Sequence, residues 1–200
     1  MVFSTRLFTK ISLLLCSLFL LLLMPQARAD DISPVRNQAL RTNGGQLLIS
    51  TRFHTQLPET LQQALLNGVP ITFDLSWRLT EPSLTAYRYR ISHLFNRSDT
   101  IQYRLSYHPI TRRYRVSIGT FSTEYINLDA ALKAVGAAAN WRVLAEEALS
   151  DVALSDIEAQ TRLKLSTAQL PKPFQINVLS SGDWQLDSGW HNLSIEEEVN

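Results

Sequence analysis

The chain has 200 residues, 45% hydrophobic and 18% charged, with 19 Lys and Arg against 18 Asp and Glu. Seven glycines and eight prolines are too few for a collagen-like, linker-dominated or disordered chain. The single cysteine, Cys16, excludes a disulfide scaffold and a zinc-thiolate cluster.

Arg6 and Lys10 precede an apolar run from Ile11 to Met24, followed by Pro25, Gln26 and the small-residue motif Ala27-Arg28-Ala29. These are the three parts of a signal peptide, with cleavage expected after Ala29. As a helix, the 14-residue run reaches roughly 21 Å at 1.5 Å per residue, short of a hydrocarbon core of about 30 Å. The expected address is therefore periplasmic or secreted, the alternative being a retained N-terminal anchor. No stable span is expected once the leader is cut. Loss of Arg6, Lys10 and Arg28 leaves 16 basic residues against 18 acidic ones, which does not point to a nucleic-acid partner.

After the leader, residues 30–45 carry Asp30, Asp31, Pro34, Asn43, Gly44 and Gly45 and read as a flexible lead-in. Residues 46–195 read as one β-rich domain, and 196–200 as an acidic, solvated tail. Residues 46–53 suit a strand. Pro58-Glu59 opens a short helix with Leu61, Ala64 and Leu65 on one side, stopped by Gly68 and Pro70. Ile71, Phe73, Leu75, Trp77 and Leu79 then alternate with polar residues, the clearest strand in the chain.

Three further strands are expected at about 86–95, 100–108 and 113–119. Pairing Leu105 with Val116 sets Tyr107 against Tyr114 and Tyr103 against Ile118, with Pro109 to Arg112 as the connecting loop. Extending the meander pairs Ile91 with Leu105 and places Tyr89 beside Tyr107. A second helix runs from Leu128 to Ala139 behind Asn127 as N-cap, with an apolar stripe through Leu128, Ala131, Leu132 and Val135. Residues 145–165 are ambiguous between helix and strand: Ser155 to Glu158 matches a capping box, yet alternation favours a strand over 156–166. Pro171 and Pro173 interrupt the chain, 174–179 forms a short turn of helix or strand, and 184–195 is a last strand bent near Gly189. The expected fold is α+β: a mainly antiparallel sheet or sandwich of six to seven strands with two short helices.

Several of these segments carry a resemblance. Tyr103-Arg104-Leu105-Ser106-Tyr107-His108, Thr111-Arg112-Arg113-Tyr114-Arg115-Val116, the helix from Leu128 to Gly136 before Trp141, Leu170-Pro171-Lys172-Pro173, and Asp183-Trp184-Gln185-Leu186 through Ser188-Gly189-Trp190 resemble an uncharacterised proteobacterial family, domain of unknown function 4390. The resemblance covers nearly all of 46–195. It implies a small exported protein, and a membrane sensor kinase as a partner to consider. It implies no catalytic residues.

On the polar side of the expected meander, one register sets Arg90, Ser106 and Arg115 in a row, Ser92, Arg104 and Ser117 in the next, and Arg88, His108 and Arg113 in a third. Strands lie about 4.8 Å apart, so these charges stand within one Debye length of each other. They call for something negative: an anionic ligand, an envelope partner's carboxylates, or this chain's own acids between Glu124 and Glu158. The plainer alternative is a solvated, internally paired face. Trp77 reads as core, and Trp190 beside Gly189 as a candidate stacking platform. His54, His93, His108 and His191 lack metal-ligand spacing, so no metal or cofactor is expected. No nucleophile elbow, zinc-protease helix, P-loop or dinucleotide fingerprint occurs. The sequence thus points to a non-enzymatic interaction module using the arginine face, with an envelope hydrolase or a hydrophobic-ligand carrier as alternatives.

Overall fold

A computed structural model describes residues 31–80, 100–150, 152–175 and 184–198. In chain order these form β1 (Ile32–Arg41), β2 (Leu47–Thr55), α1 (Glu59–Leu66), β3 (Ile71–Thr80), β4 (Thr100–His108), β5 (Arg113–Ile118), β6 (Phe121–Tyr125), α2 (Leu128–Ala134), β7 (Ala138–Arg142), β8 (Glu158–Leu165), β9 (His191–Asn192) and β10 (Ser194–Glu197). The strands make two sheets: a four-stranded one ordered β10-β1-β2-β7 and a six-stranded one ordered β6-β5-β4-β3-β8-β9. All pairings are antiparallel except that of β1 with β10. This is the expected α+β sandwich, with ten described strands where six or seven were anticipated.

Period-two patterning explains the layers. In β2, Leu47, Ile49, Thr51, Phe53 and Thr55 are buried while their neighbours are not; in β3, Leu75, Trp77 and Leu79 do the same after a start buried on both sides at Ile71, Thr72 and Phe73, and so do Ala159, Thr161, Leu163 and Leu165 of β8 within the strand. Each strand therefore turns one face inward. The core has two lobes. One gathers Phe53, Leu61, Leu65, Phe73, Tyr103, Leu105, Leu132 and Leu163 beneath the helices; the other gathers Leu47, Ile49, Trp77, Leu79, Leu149 and Leu193 between the sheets. Helix α1 buries Leu61, Ala64 and Leu65, as its spacing requires. Helix α2 is capped by Asn127, whose Oδ1 accepts the Ala130 N–H at 2.8 Å.

One polar contact ties the layers together. A bulge between Pro34 and Arg36 shifts the phase of β1, so that Asn37 points inward. There its Oδ1 accepts a 2.6 Å hydrogen bond from Thr161 of β8, and its Nδ2 donates to the carbonyls of His191 and Asn192 at 3.1 and 2.8 Å. Asn37 thereby holds β9 against the four-stranded sheet.

Five expectations need correction. Residues 30–45 are not a flexible lead-in, since Ile32–Arg41 pairs along its length with β2; Pro34 is tolerated beside the bulge. The second helix ends at Ala134, because Gly136 turns the chain at φ +74° and Ala138 and Ala139 enter β7. The strand favoured over 156–166 does form, as β8, and the capping-box alternative does not: residues 154–156 are a 3₁₀ turn without a side-chain cap. The last strand is broken, with Asp187 bridging Lys164, β9 pairing with β8 and β10 crossing to β1. Glu196 and Glu197 belong to that strand, and Glu197 lies 3.5 Å from Arg41, so the tail is not free.

The fifth correction concerns the meander. Leu105 pairs with Val116 and Tyr107 with Tyr114, as expected, but the other flank of β4 is taken by β3, with Ile71 opposite Leu105 and Thr72 opposite Arg104. Both flanks of Leu105 are filled, by Ile71 and by Val116, so the expected pairing of Ile91 with Leu105 is not available. Residues 86–95 lie outside the described residues, as do the leader and Ala29. Alternation fixes which face a strand buries; it does not say which strand lies beside it. Among the described residues no helix is long and apolar enough to cross a membrane.

Candidate functional site

The inward phase of the six-stranded sheet is apolar, so its outward phase collects the polar residues of five neighbouring strands. Across β4, β5 and β6 the rows are Arg104, Ser117 and Ser122; then Ser106, Arg115 and Glu124; then His108 opposite Arg113. Across β4, β3 and β8 they are Gln102, Asp74 and Lys164, then Thr100, Ser76 and Arg162, while Arg78 stands opposite Gln160. The face thus carries Arg78, Arg104, Arg113, Arg115, Arg162 and Lys164 against Asp74, Glu124, Glu158 and Asp187, an excess of positive charge.

Part of that charge is neutralised within the chain. Arg115 donates to Glu124 at 2.7 Å, and this bond, with the positive field of Arg115, Arg113 and His108, holds the Glu124 carboxyl below its usual range. Arg162 forms a two-pronged pair with Asp187. Burial pushes Asp187 up, but the Arg162 bond, the Gly189 N–H and the charges of Arg162 and Lys164 outweigh it and leave its pKa lowered. Arg78 donates to Gln160 at 2.9 and 2.7 Å. Arg104 and Arg113 are exposed and make no hydrogen bond or ion pair among the described residues.

The expected site residues are therefore brought together in part. Arg104, His108, Arg113 and Arg115 share one face in the expected rows. Arg88 and Arg90 lie outside the described residues. Of the chain's own acids, Glu124 does cover one arginine. Trp190 also sits on this face, with the Arg78 guanidinium 4.2 Å from its ring centre and that of Arg162 at 5.7 Å. Arginine thus occupies the ring surface on which a ligand would stack.

Sequence reasoning missed Arg78, Arg162 and Lys164. Each stands on the polar phase of an alternating strand. Their convergence depends on β3 pairing with β8, Asp74 opposite Lys164, a long-range pairing that no local pattern announces.

A second feature is a cleft of about 510 Å³ between the end of β2 and the two helices. Phe53, Leu57, Leu128 and Leu132 supply apolar lining; His54, Gln56, Gln62, Asp129 and Lys133 supply polar lining. Thr55 also lines it, and its buried hydroxyl has no hydrogen-bond partner among the described residues. Among the described residues, no group of three His, Cys, Asp or Glu is arranged to hold a metal ion.

Fold and face define a class: a two-layer β sandwich with two short helices and a cationic outer sheet surface. The chain belongs to the family described as a domain of unknown function, DUF4390, which matches residues 31–194. That match takes in β1 from its first residue, Ile32. No curated protein and no solved structure matches the chain.

Proposed function

We propose that this protein is a non-enzymatic binding module of the cell envelope, exported by its leader, that receives an acidic surface of a protein partner on the outer face of the six-stranded sheet. The observation that carries this reading is the contrast between Arg115 and Arg162, already paired with Glu124 and Asp187, and Arg104 and Arg113, which stand exposed without partners among the described residues. The face is a sheet surface rather than a concavity, which suits a macromolecule better than a small ligand. A planar guanidinium accepts a carboxylate in two-pronged fashion. A membrane sensor kinase is one such partner, brought forward by the family resemblance alone.

The test is Arg104→Glu with Arg113→Glu. Arg115 is left intact because its loss would also strand Glu124. A photo-crosslinker at Ser106, between the two arginines, should capture an identifiable partner in cells. Charge reversal should reduce capture by an order of magnitude or more, and added salt should mimic it, while the melting temperature moves by no more than about 2 °C. Capture unchanged by charge reversal would reject the reading.

The cleft supports a second reading, the carrier of a small amphipathic ligand. A volume of about 510 Å³ falls within the usual span of ligand sites, and the Thr55 hydroxyl, without a partner among the described residues, is a group that a ligand could satisfy. Leu132→Trp would fill the cleft and abolish binding of an apolar fluorescent probe. A hydrolase needs paired carboxylates or a Ser/His pair, and the lining of this cleft holds one carboxylate, Asp129, and no serine.

A further inference from the structure

Strand β6 ends the six-stranded sheet, with β5 on one side and no partner on the other among the described residues. Edges of this kind are ordinarily blunted by proline, lysine, a bulge or a cover. Phe121-Ser122-Thr123-Glu124-Tyr125 contains no proline or lysine, its pairing with β5 is unbroken, and its only charge is engaged by Arg115. Phe121 is 82% exposed and Ile126 77%. We propose that two copies of the chain pair antiparallel through β6, about a two-fold axis at Thr123, so that the two six-stranded sheets become one. This inference is independent of the partner-binding reading.

The hairpin dictates the register. Ile118 pairs with Phe121 across Gly119 and Thr120, and Gly119 at φ +56° fits a type II′ turn. The closing pair of such a two-residue hairpin is hydrogen-bonded, and bonded pairs alternate with non-bonded ones. Phe121, Thr123 and Tyr125 thus direct their backbone groups to β5, while Ser122 and Glu124 direct theirs to the open side. An axis at Thr123 lets Ser122 exchange both backbone bonds with the partner's Glu124, and Glu124 with the partner's Ser122.

The side chains agree with this choice. On the inner side, Phe121 meets the partner's Tyr125, a favourable aromatic cross-strand pair, and the row reads Ile118, Phe121, the partner's Tyr125, the partner's Tyr114. On the outer side, Glu124 lies between Arg115 and the partner's Ser122, so no like charges meet. An axis at Glu124 would instead set two carboxylates directly opposite. Two five-residue strands bury less than the roughly 1,200–2,000 Å² of a stable interface, so the dimer forms and dissociates with concentration.

Disulfide trapping in the full chain tests this, with Cys16→Ser removing the only native thiol. At a non-bonded antiparallel pair the Cα atoms stand about 4.5 Å apart, inside the 4.4–6.8 Å range of a disulfide. Thr123→Cys should therefore give a linked dimer under mild oxidant, at least fivefold faster than Ser122→Cys, whose two copies stand about 8 Å apart across the axis. Adding Ser122→Pro removes one outward N–H without touching the bonds to β5; it should abolish the Thr123→Cys link while the melting temperature is retained. The proposal is overturned if Thr123→Cys links no faster than Arg52→Cys, an exposed position on the other sheet. It is equally overturned if Ser122→Cys links as fast, or if Ser122→Pro changes nothing.

Discussion

Replacing Asn37 by alanine removes three hydrogen bonds at once, and the structure ranks their importance. The carbonyls of His191 and Asn192 lie on a partly exposed segment, where water can replace the lost amide. Thr161 cannot be rescued: it is 0% exposed and donates its hydroxyl only to Asn37, at 2.6 Å. A stranded buried hydroxyl costs about 1–3 kcal/mol, and each of the two replaced bonds about 0.5–1, so Asn37→Ala should destabilise by about 2–5 kcal/mol. Thr161→Val alone should cost about 1–2 kcal/mol. In the double variant no hydroxyl is stranded, so the sum of the single losses should exceed the double loss by about 1–2 kcal/mol. Urea unfolding of the four proteins, with slopes held equal, measures this directly. Additivity within about 0.5 kcal/mol, or an Asn37→Ala loss below 1 kcal/mol, would refute the view that Asn37 locks the two layers.

Gly136→Ala should cost about 2–4 kcal/mol in the same assay, because a Cβ there would stand 2.6 Å from Leu163 and 3.2 Å from Phe53 at φ +74°, combining overpacking with left-handed backbone strain. Asp187 has a lowered pKa in the fold; its contribution is therefore complete above about pH 4, the unfolded carboxyl value, and is lost as pH falls through the depressed folded value. Asp187→Asn should accordingly flatten the decline of stability with acid below about pH 4, as read by urea midpoints across pH. Arg78→Ala should uncover the Trp190 ring and increase acrylamide quenching of tryptophan fluorescence; unchanged quenching would show that the stacking does not shield it.

Local pattern carried much of the fold. Alternation placed β3 and found the inward faces of β4, β5 and β8, because a half-buried strand must repeat with period two. Asn127 and Gly68 marked helix ends through capping chemistry that acts within a few residues. The register of Leu105 on Val116 was legible because a four-residue loop leaves little choice. What escaped was set by distance along the chain. β1 was hidden by Pro34 and by a bulge that changes its phase at Val35, so no single alternation runs through it. The placement of β3 between β4 and β8 rests on contacts between Ile71 and Leu105 and between Asp74 and Lys164, and several strands share the same buried phase. The candidate face followed suit: Arg104, His108, Arg113 and Arg115 sit on a local hairpin and were found, while Arg78, Arg162 and Lys164 required the long-range pairing.

The parallel pairing of Gln38–Arg41 with Ser194–Glu197 has a bearing on biogenesis. β1 cannot acquire its second neighbour until Ser194–Glu197 have left the ribosome, so that border of the smaller sheet stays bare while residues 42–193 are made. Until then the chain is incompletely locked and open to handling by chaperones; a version cut before Ser194 would carry that bare border permanently.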